Sequence, residues 1–196
     1  MKGIVLSKKM LAAYGIFVVL FAAQFAHAQN ITLGAPAYGG TGCPAALVPQ
    51  VSISKGIISV RYNNFSLSDV AASRIERANC SIRIPVNVNG RYRLAVESVE
   101  LRGTAKVPSQ VRLSYHADAG FVGAGEVKVD QLITGPKGTH SVRLAQRSTA
   151  PQRTGCGEDS MLSLNANMGY VKPDGVTGVR ASARVLDAKL IIEACN

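Results

Sequence analysis

Cys80-Ser81-Ile82-Arg83-Ile84-Pro85-Val86-Asn87-Val88-Asn89-Gly90 is the stretch that decides the fold. Ile82, Ile84, Val86 and Val88 alternate with Ser81, Arg83, Pro85 and Asn87. A period of two puts the apolar side chains on one face of a strand and the polar ones on the other. Pro85 has no N–H to give to a ladder, so this strand is expected at a sheet edge or with a bulge. Asn89-Gly90 follows at once and tolerates the positive φ of a two-residue hairpin turn. Tyr92, Leu94 and Val96 then form the return strand, and Val99 and Leu101 continue it after a change of phase.

The same period runs outward in both directions. Ile58, Val60 and Tyr62 precede it; Val111, Leu113 and Tyr115, then Val127 and Val129, follow. Val142 and Leu144 come after Gly135-Pro136-Lys137-Gly138, a turn built from breakers. Leu162, Leu164, Ala166 and Met168 alternate with Ser163, Asn165 and Asn167, and a last pair runs from Val179 to Val185 and through Leu190 and Ile192. Gln29 to Gln50 reads as an extended lead-in, with Ile31 to Leu33 a short edge strand. Only Asp69 to Arg77 has helical spacing, with Ser68 as a cap and Val70, Ala71, Ile75 and Ala78 on one side. The expected class is all-β: one β-sandwich or jelly-roll-like domain with at most one short helix.

Residues 1–28 have the form of a secretory signal. Lys2, Lys8 and Lys9 precede an apolar run from Leu11 to Ala23, and Ala26-His27-Ala28 supplies the small-x-small cleavage pattern. The apolar run is short against the roughly 20 residues a bilayer span needs. No second such run follows, so no membrane span is expected after cleavage. The mature domain is therefore 29–196, secreted or periplasmic. It keeps 19 of the 22 Lys and Arg against 12 Asp and Glu, a net charge of +7. That charge points to an anionic partner such as an envelope polymer or polysaccharide. Most of the arginines alternate with apolar residues, as on the solvent face of strands, and export argues against nucleic acid.

Cys43, Cys80, Cys156 and Cys195 all follow the signal. Four cysteines in an exported chain imply two disulfides with three connectivities. The favoured one, Cys43–Cys80 with Cys156–Cys195, places one bridge in each half. No C-x-x-C occurs and only two histidines survive export, which argues against a zinc site or redox motif. No cofactor is called for. Tyr38-Gly39-Gly40-Thr41-Gly42-Cys43-Pro44 is too rich in glycine for a helix or central strand, and Cys43 would pin that loop to a distant strand.

Catalytic motifs are missing. There is no G-x-x-x-x-G-K-[ST], no G-x-S-x-G and no H-E-x-x-H. The best enzyme constellation is His116 with Asp118, joined by His140 and by Glu126 or Asp130. His116 and Asp118 share a strand face, roughly 7 Å apart along the chain, which is long for a direct hydrogen bond. Asp69 with Glu76 and Glu158 with Asp159 are the carboxylate pairs a glycosidase would need. Asp69 also reads as a helix-start charge, and Glu158-Asp159 as a solvated turn. Tyr38, beside the glycine loop, and Phe121, between glycines, are the aromatics expected to be exposed and available for ligand binding.

Gly39-Gly40-Thr41-Gly42-Cys43-Pro44, Tyr62-Asn63-Asn64-Phe65, Arg77-Ala78-Asn79-Cys80, Glu100-Leu101-Arg102-Gly103, Cys156-Gly157 and Leu164-Asn165-Ala166-Asn167 follow one another in order. This order resembles the secreted, cysteine-framed family known as domain of unknown function 4360, found in fungi and bacteria. The resemblance spans nearly all of the mature chain. It implies an extracellular or periplasmic β-rich protein, supports a Cys43–Cys80 bridge and brings no established activity. The chain lacks tryptophan and Cys195 has no match in that pattern, so no ligand carries over.

The leading expectation is an exported, disulfide-stabilised, non-catalytic binding or structural protein. The alternative is a secreted hydrolase acting on an envelope polymer through carboxylates or His116. A third is a subunit that assembles by strand addition through its N-terminal segment. Oligomeric state is left open.

Overall fold

The structure is a computed structural model that describes residues 31–69, 73–134 and 137–195. The signal expected over 1–28 lies outside them. Eleven strands and no helix occur among the described residues. They are β1 Ile31–Leu33, β2 Ala37–Gly39, β3 Gln50–Ser54, β4 Ile57–Ser68, β5 Ile75–Val88, β6 Tyr92–Val107, β7 Arg112–Phe121, β8 Glu126–Thr134, β9 Gly138–Arg147, β10 Ser160–Val171 and β11 Arg180–Ala194. Two antiparallel sheets form a sandwich. One has the order β1-β5-β10-β7-β8 with β2 also on β5; the other has β3-β4-β11-β6-β9. We call them the first and second sheet.

The alternation sets the layers. Ile82, Ile84, Val86, Leu162, Leu164, Leu113 and Tyr115 of the first sheet are buried, as are Ile58, Val60, Leu101 and Leu186 of the second, within one continuous core. At about 25 cal/mol per Å² of apolar surface removed from water, this two-faced core is the main stabilising contribution.

The strand that holds Pro85 is not an edge. β5 lies between β10 on one side and β1 and β2 on the other. The Pro85 carbonyl accepts the Gly34 N–H at 2.8 Å. A residue's N–H and C=O point to the same side of an antiparallel strand. The donor that Pro85 lacks would therefore face the break between β1 and β2, where no ladder partner is required. The phase change in β6 is a bulge: Lys189 of β11 sits opposite Ser98 and Leu190 opposite Val96, leaving Glu97 as the extra residue.

The helix expected over Asp69–Arg77 is overturned where it is described. Ile75, Glu76 and Arg77 open β5, opposite Val171, Tyr170 and Gly169 of β10. Val70, Ala71 and Ala72 lie outside the described residues. Asp69 itself is held by partners from the β10–β11 connection. Its side chain is 2 % exposed and forms an ion pair with Lys172, itself 5 % exposed. The second Asp69 oxygen accepts the Gly178 N–H at 2.8 Å, and Lys172 Nζ also donates to the Val176 carbonyl at 2.8 Å. The bond from Lys172 outweighs the opposing effect of burial and holds the Asp69 carboxyl below the usual range. This pair latches the β10–β11 connection to the end of β4.

Both expected disulfides are present, Cys43–Cys80 and Cys156–Cys195. The first ties the glycine loop to the middle of β5, and the Gly42 N–H adds a bond to the Asn79 carbonyl at 2.8 Å. The second fastens the end of β11 to the loop before β10. In that loop Gly157 has φ +63°, and a Cβ there would lie 2.5 Å from Gly90 Cα in the β5–β6 turn. Only glycine permits both the backbone and the approach.

Candidate functional site

The outward face of the first sheet gathers polar side chains across its strands. Even-numbered residues of β7 face out, as do odd-numbered residues of β10 and β5 and even-numbered residues of β8. The registers then align them in rows. Asn79, Asn167, His116 and Asp130 lie across β5, β10, β7 and β8, and Ser81, Asn165, Asp118 and Lys128 form the next row.

His116 is clamped. Its Nε2 is 2.9 Å from Asp118 Oδ2 and its Nδ1 is 2.6 Å from Asp130 Oδ1. The separation along one strand did not prevent the first contact, because the imidazole swings along the face towards its neighbour two residues on. Asp118 is unusual for an outward position, being only 6 % exposed. Its other oxygen accepts Asn165 Nδ2 at 2.6 Å, and Asn165 also donates to Ser163 Oγ at 3.3 Å. Carboxylates only accept, so a ring bonded to one at each nitrogen carries a proton on both. Burial alone would push the His116 pKa down; the bonds to Asp130 and Asp118 outweigh it and raise the value above the ordinary histidine range.

Such an imidazolium has no lone pair with which to take a proton. The arrangement cross-links β7 to β8 and fixes Asp118, with both ring nitrogens engaged. It does not suit a metal, since the carboxylates sit on opposite ring nitrogens and do not converge. Among the described residues no group of His, Cys, Asp and Glu has the geometry to hold one. His140 is elsewhere, on β9 of the second sheet opposite Ala105. Glu126 forms an ion pair with Lys128.

The remaining sequence candidates divide. Phe121, expected to be exposed, is 2 % exposed: it occupies a core-facing position at the end of β7, opposite Leu162. It cannot serve as a ligand platform. Tyr38 is half-buried on β2 and packs against the core. Asp69 and Glu76 do not form a free carboxylate pair, because Asp69 is held by Lys172 and Glu76 accepts the Tyr170 hydroxyl at 2.8 Å. Glu158 and Asp159 are exposed just after the Cys156-Gly157 turn, where Glu158 accepts the Gly155 N–H at 3.0 Å. Asn165 went unnoticed in the sequence as a site residue, although its outward parity on β10 was legible there.

Fold and bridges define the class: a disulfide-stapled, all-β sandwich with a hydrogen-bonding outer face. The chain belongs to the family described as domain of unknown function (DUF4360), whose model matches residues 29–188. Cys195 lies beyond the matched span, so the second bridge reaches outside it. No curated protein is similar in sequence. Among solved structures one match is TmCBM61 in complex with β-1,4-galactotriose, at 12 % identity and TM-score 0.26, covering 84 % of this chain and 88 % of that one.

Proposed function

We propose that the mature chain is an exported, non-catalytic binding protein that holds a hydroxyl-rich envelope polymer, a polysaccharide foremost, against the outer face of its first sheet. The observation that supports this is the pair of cross-strand rows, in which amide, hydroxyl, imidazolium and carboxylate groups stand side by side around a buried Asp118. Amides and carboxylates offer the donors and acceptors that sugar hydroxyls need. The clamp on His116 holds part of this surface rigid before a ligand arrives, which lowers the ordering cost of binding. Export rests on the signal-like segment 1–28 and agrees with the two disulfides.

The test is retention of oxidised, mature protein on purified envelope polysaccharides. Asn167 is half-buried at the centre of the first row. Asn167→Ala is expected to fold normally and to weaken retention about tenfold, the scale of one or two lost hydrogen bonds. Equal retention of the variant would mean that this face does not bind the polymer. A polymer-degrading activity abolished by His116→Gln would instead favour the hydrolase reading.

A further inference from the structure

On the opposite side of the molecule the second sheet carries a depression bordered by β4, β11, β6 and β9, with a volume of about 550 Å³. That is within the range of small-molecule sites. Its lining includes a row of short hydroxyl side chains, Ser66, Ser182 and Thr104, directly opposite one another across three strands, beside the apolar Leu67, Ala105 and Ala181. Ser182 and Thr104 are bonded at 2.9 Å. The next row raises a wall in which Arg180 stands directly opposite Lys106, with Thr139 beyond it.

Two like charges at directly opposed positions repel, and such pairs destabilise a sheet. Several other cations of this face are paired, although Arg61 and Arg184, where β4 and β11 slip register, have no carboxylate partner among the described residues either. Arg102 reaches Asp187 and Glu100, Arg143 reaches Glu100, and Arg147 and Lys189 reach Glu97. Among the described residues neither Lys106 nor Arg180 contacts a carboxylate. Asp69, next in sequence to the β4 end of this row, is already neutralised by Lys172. The sheet therefore keeps an uncompensated cation pair at the lip of a hydroxyl-lined hollow. Departures from local sheet rules of this kind concentrate at functional sites.

The geometry points to a binding site for an acidic saccharide unit, with its carboxylate or sulfate between Lys106 and Arg180 and its hydroxyls on Ser66, Thr104, Ser182 and Thr139. A guanidinium fork and an ammonium supply charge-assisted bonds to the anion. The serine and threonine hydroxyls both donate and accept, as a sugar requires. A bare inorganic anion would use the cations and leave the hydroxyl row idle. This site is independent of the first sheet.

The experiment is calorimetric titration of oxidised mature protein with a uronic-acid trisaccharide, with the neutral trisaccharide of the same linkage and with inorganic sulfate as separate arms. The expected result is binding of the acidic trisaccharide that weakens as salt rises, with sulfate bound far more weakly and the neutral sugar gaining nothing from the cation pair. Lys106→Gln and Arg180→Gln should each weaken acidic binding about tenfold or more. Lys106→Gln should leave Tm equal or higher, because it relieves the repulsion, an outcome that a purely structural lysine would not give. Unchanged affinity in both variants would overturn the proposal. So would sulfate binding as tightly as the trisaccharide, or capture of anionic lipid vesicles with no response to the sugar.

Discussion

His116 makes the site's stability depend on pH, and the sign follows from its raised pKa. A group that holds its proton more tightly when folded adds stability in full below its unfolded value of about 6.5. That contribution is lost as pH climbs through the higher folded value. The Tm gap between the wild type and His116→Gln is therefore expected to be widest near pH 5.5 and to narrow as pH is raised past neutrality. A gap that widened with pH would contradict the clamp. Tyr62 carries the opposite kind of feature: its hydroxyl is buried and has no hydrogen-bond partner among the described residues. Burial, followed by the charge of Asp118, drives its pKa upward. Removing an unsatisfied buried hydroxyl relieves a desolvation cost, so Tyr62→Phe should gain about 1 kcal/mol in urea denaturation. A loss would mean that the hydroxyl has a partner in solution.

At the scale of elements, Gly103 of β6 packs directly against the β11 backbone beside Ser182. A Cβ on Gly103 would lie 2.0 Å from the Ser182 carbonyl oxygen, and the register slips next to it, between Ala183 and Val185. Backbone cannot yield as a flexible side chain can, so Gly103→Ala should cost about 3 kcal/mol by the same denaturation measurement. An unchanged midpoint would show that the bulge absorbs the methyl group. The strands themselves were largely legible in the sequence, because each core-facing residue recurs with a period of two. Even the bulge at Glu97 showed, as the shift from Leu94 and Val96 to Val99 and Leu101. The helix expected at Asp69–Arg77 came from apolar residues whose spacing suits either geometry; from Ile75 on, pairing with β10 decides for strand. The partners of His116 were harder to read. Asp130 reaches it only because the β7–β8 hairpin sets that register, and Asn165, which bonds Asp118 and not the ring itself, arrives 47 residues after Asp118. Periodicity gives the face that a residue occupies but not its neighbour across the strands.

For the whole molecule, two bridges close chain segments of 37 and 39 residues. On the chain-entropy account each such closure contributes about 4 kcal/mol by restricting the unfolded state. Replacing Cys156 and Cys195 together with serine should lower guanidinium stability by about that amount while leaving the strand signal in circular dichroism intact. A loss below about 1 kcal/mol would mean that the sandwich core alone holds β11 in place. The two outer faces differ in kind. One presents amides and carboxylates around a clamped imidazolium, and the other a hollow with a hydroxyl row beside paired cations. Under the proposed binding role, each face offers its own ligand chemistry. Polysaccharide binding by the first sheet's outer face, as proposed, can be read by NMR amide-shift mapping of oxidised, isotope-labelled protein against polysaccharide fragments. Perturbations are expected to centre on Asn79, Asn165, Asn167 and His116. Shifts confined to the sheet edges or loops, or none at any fragment concentration, would contradict such binding.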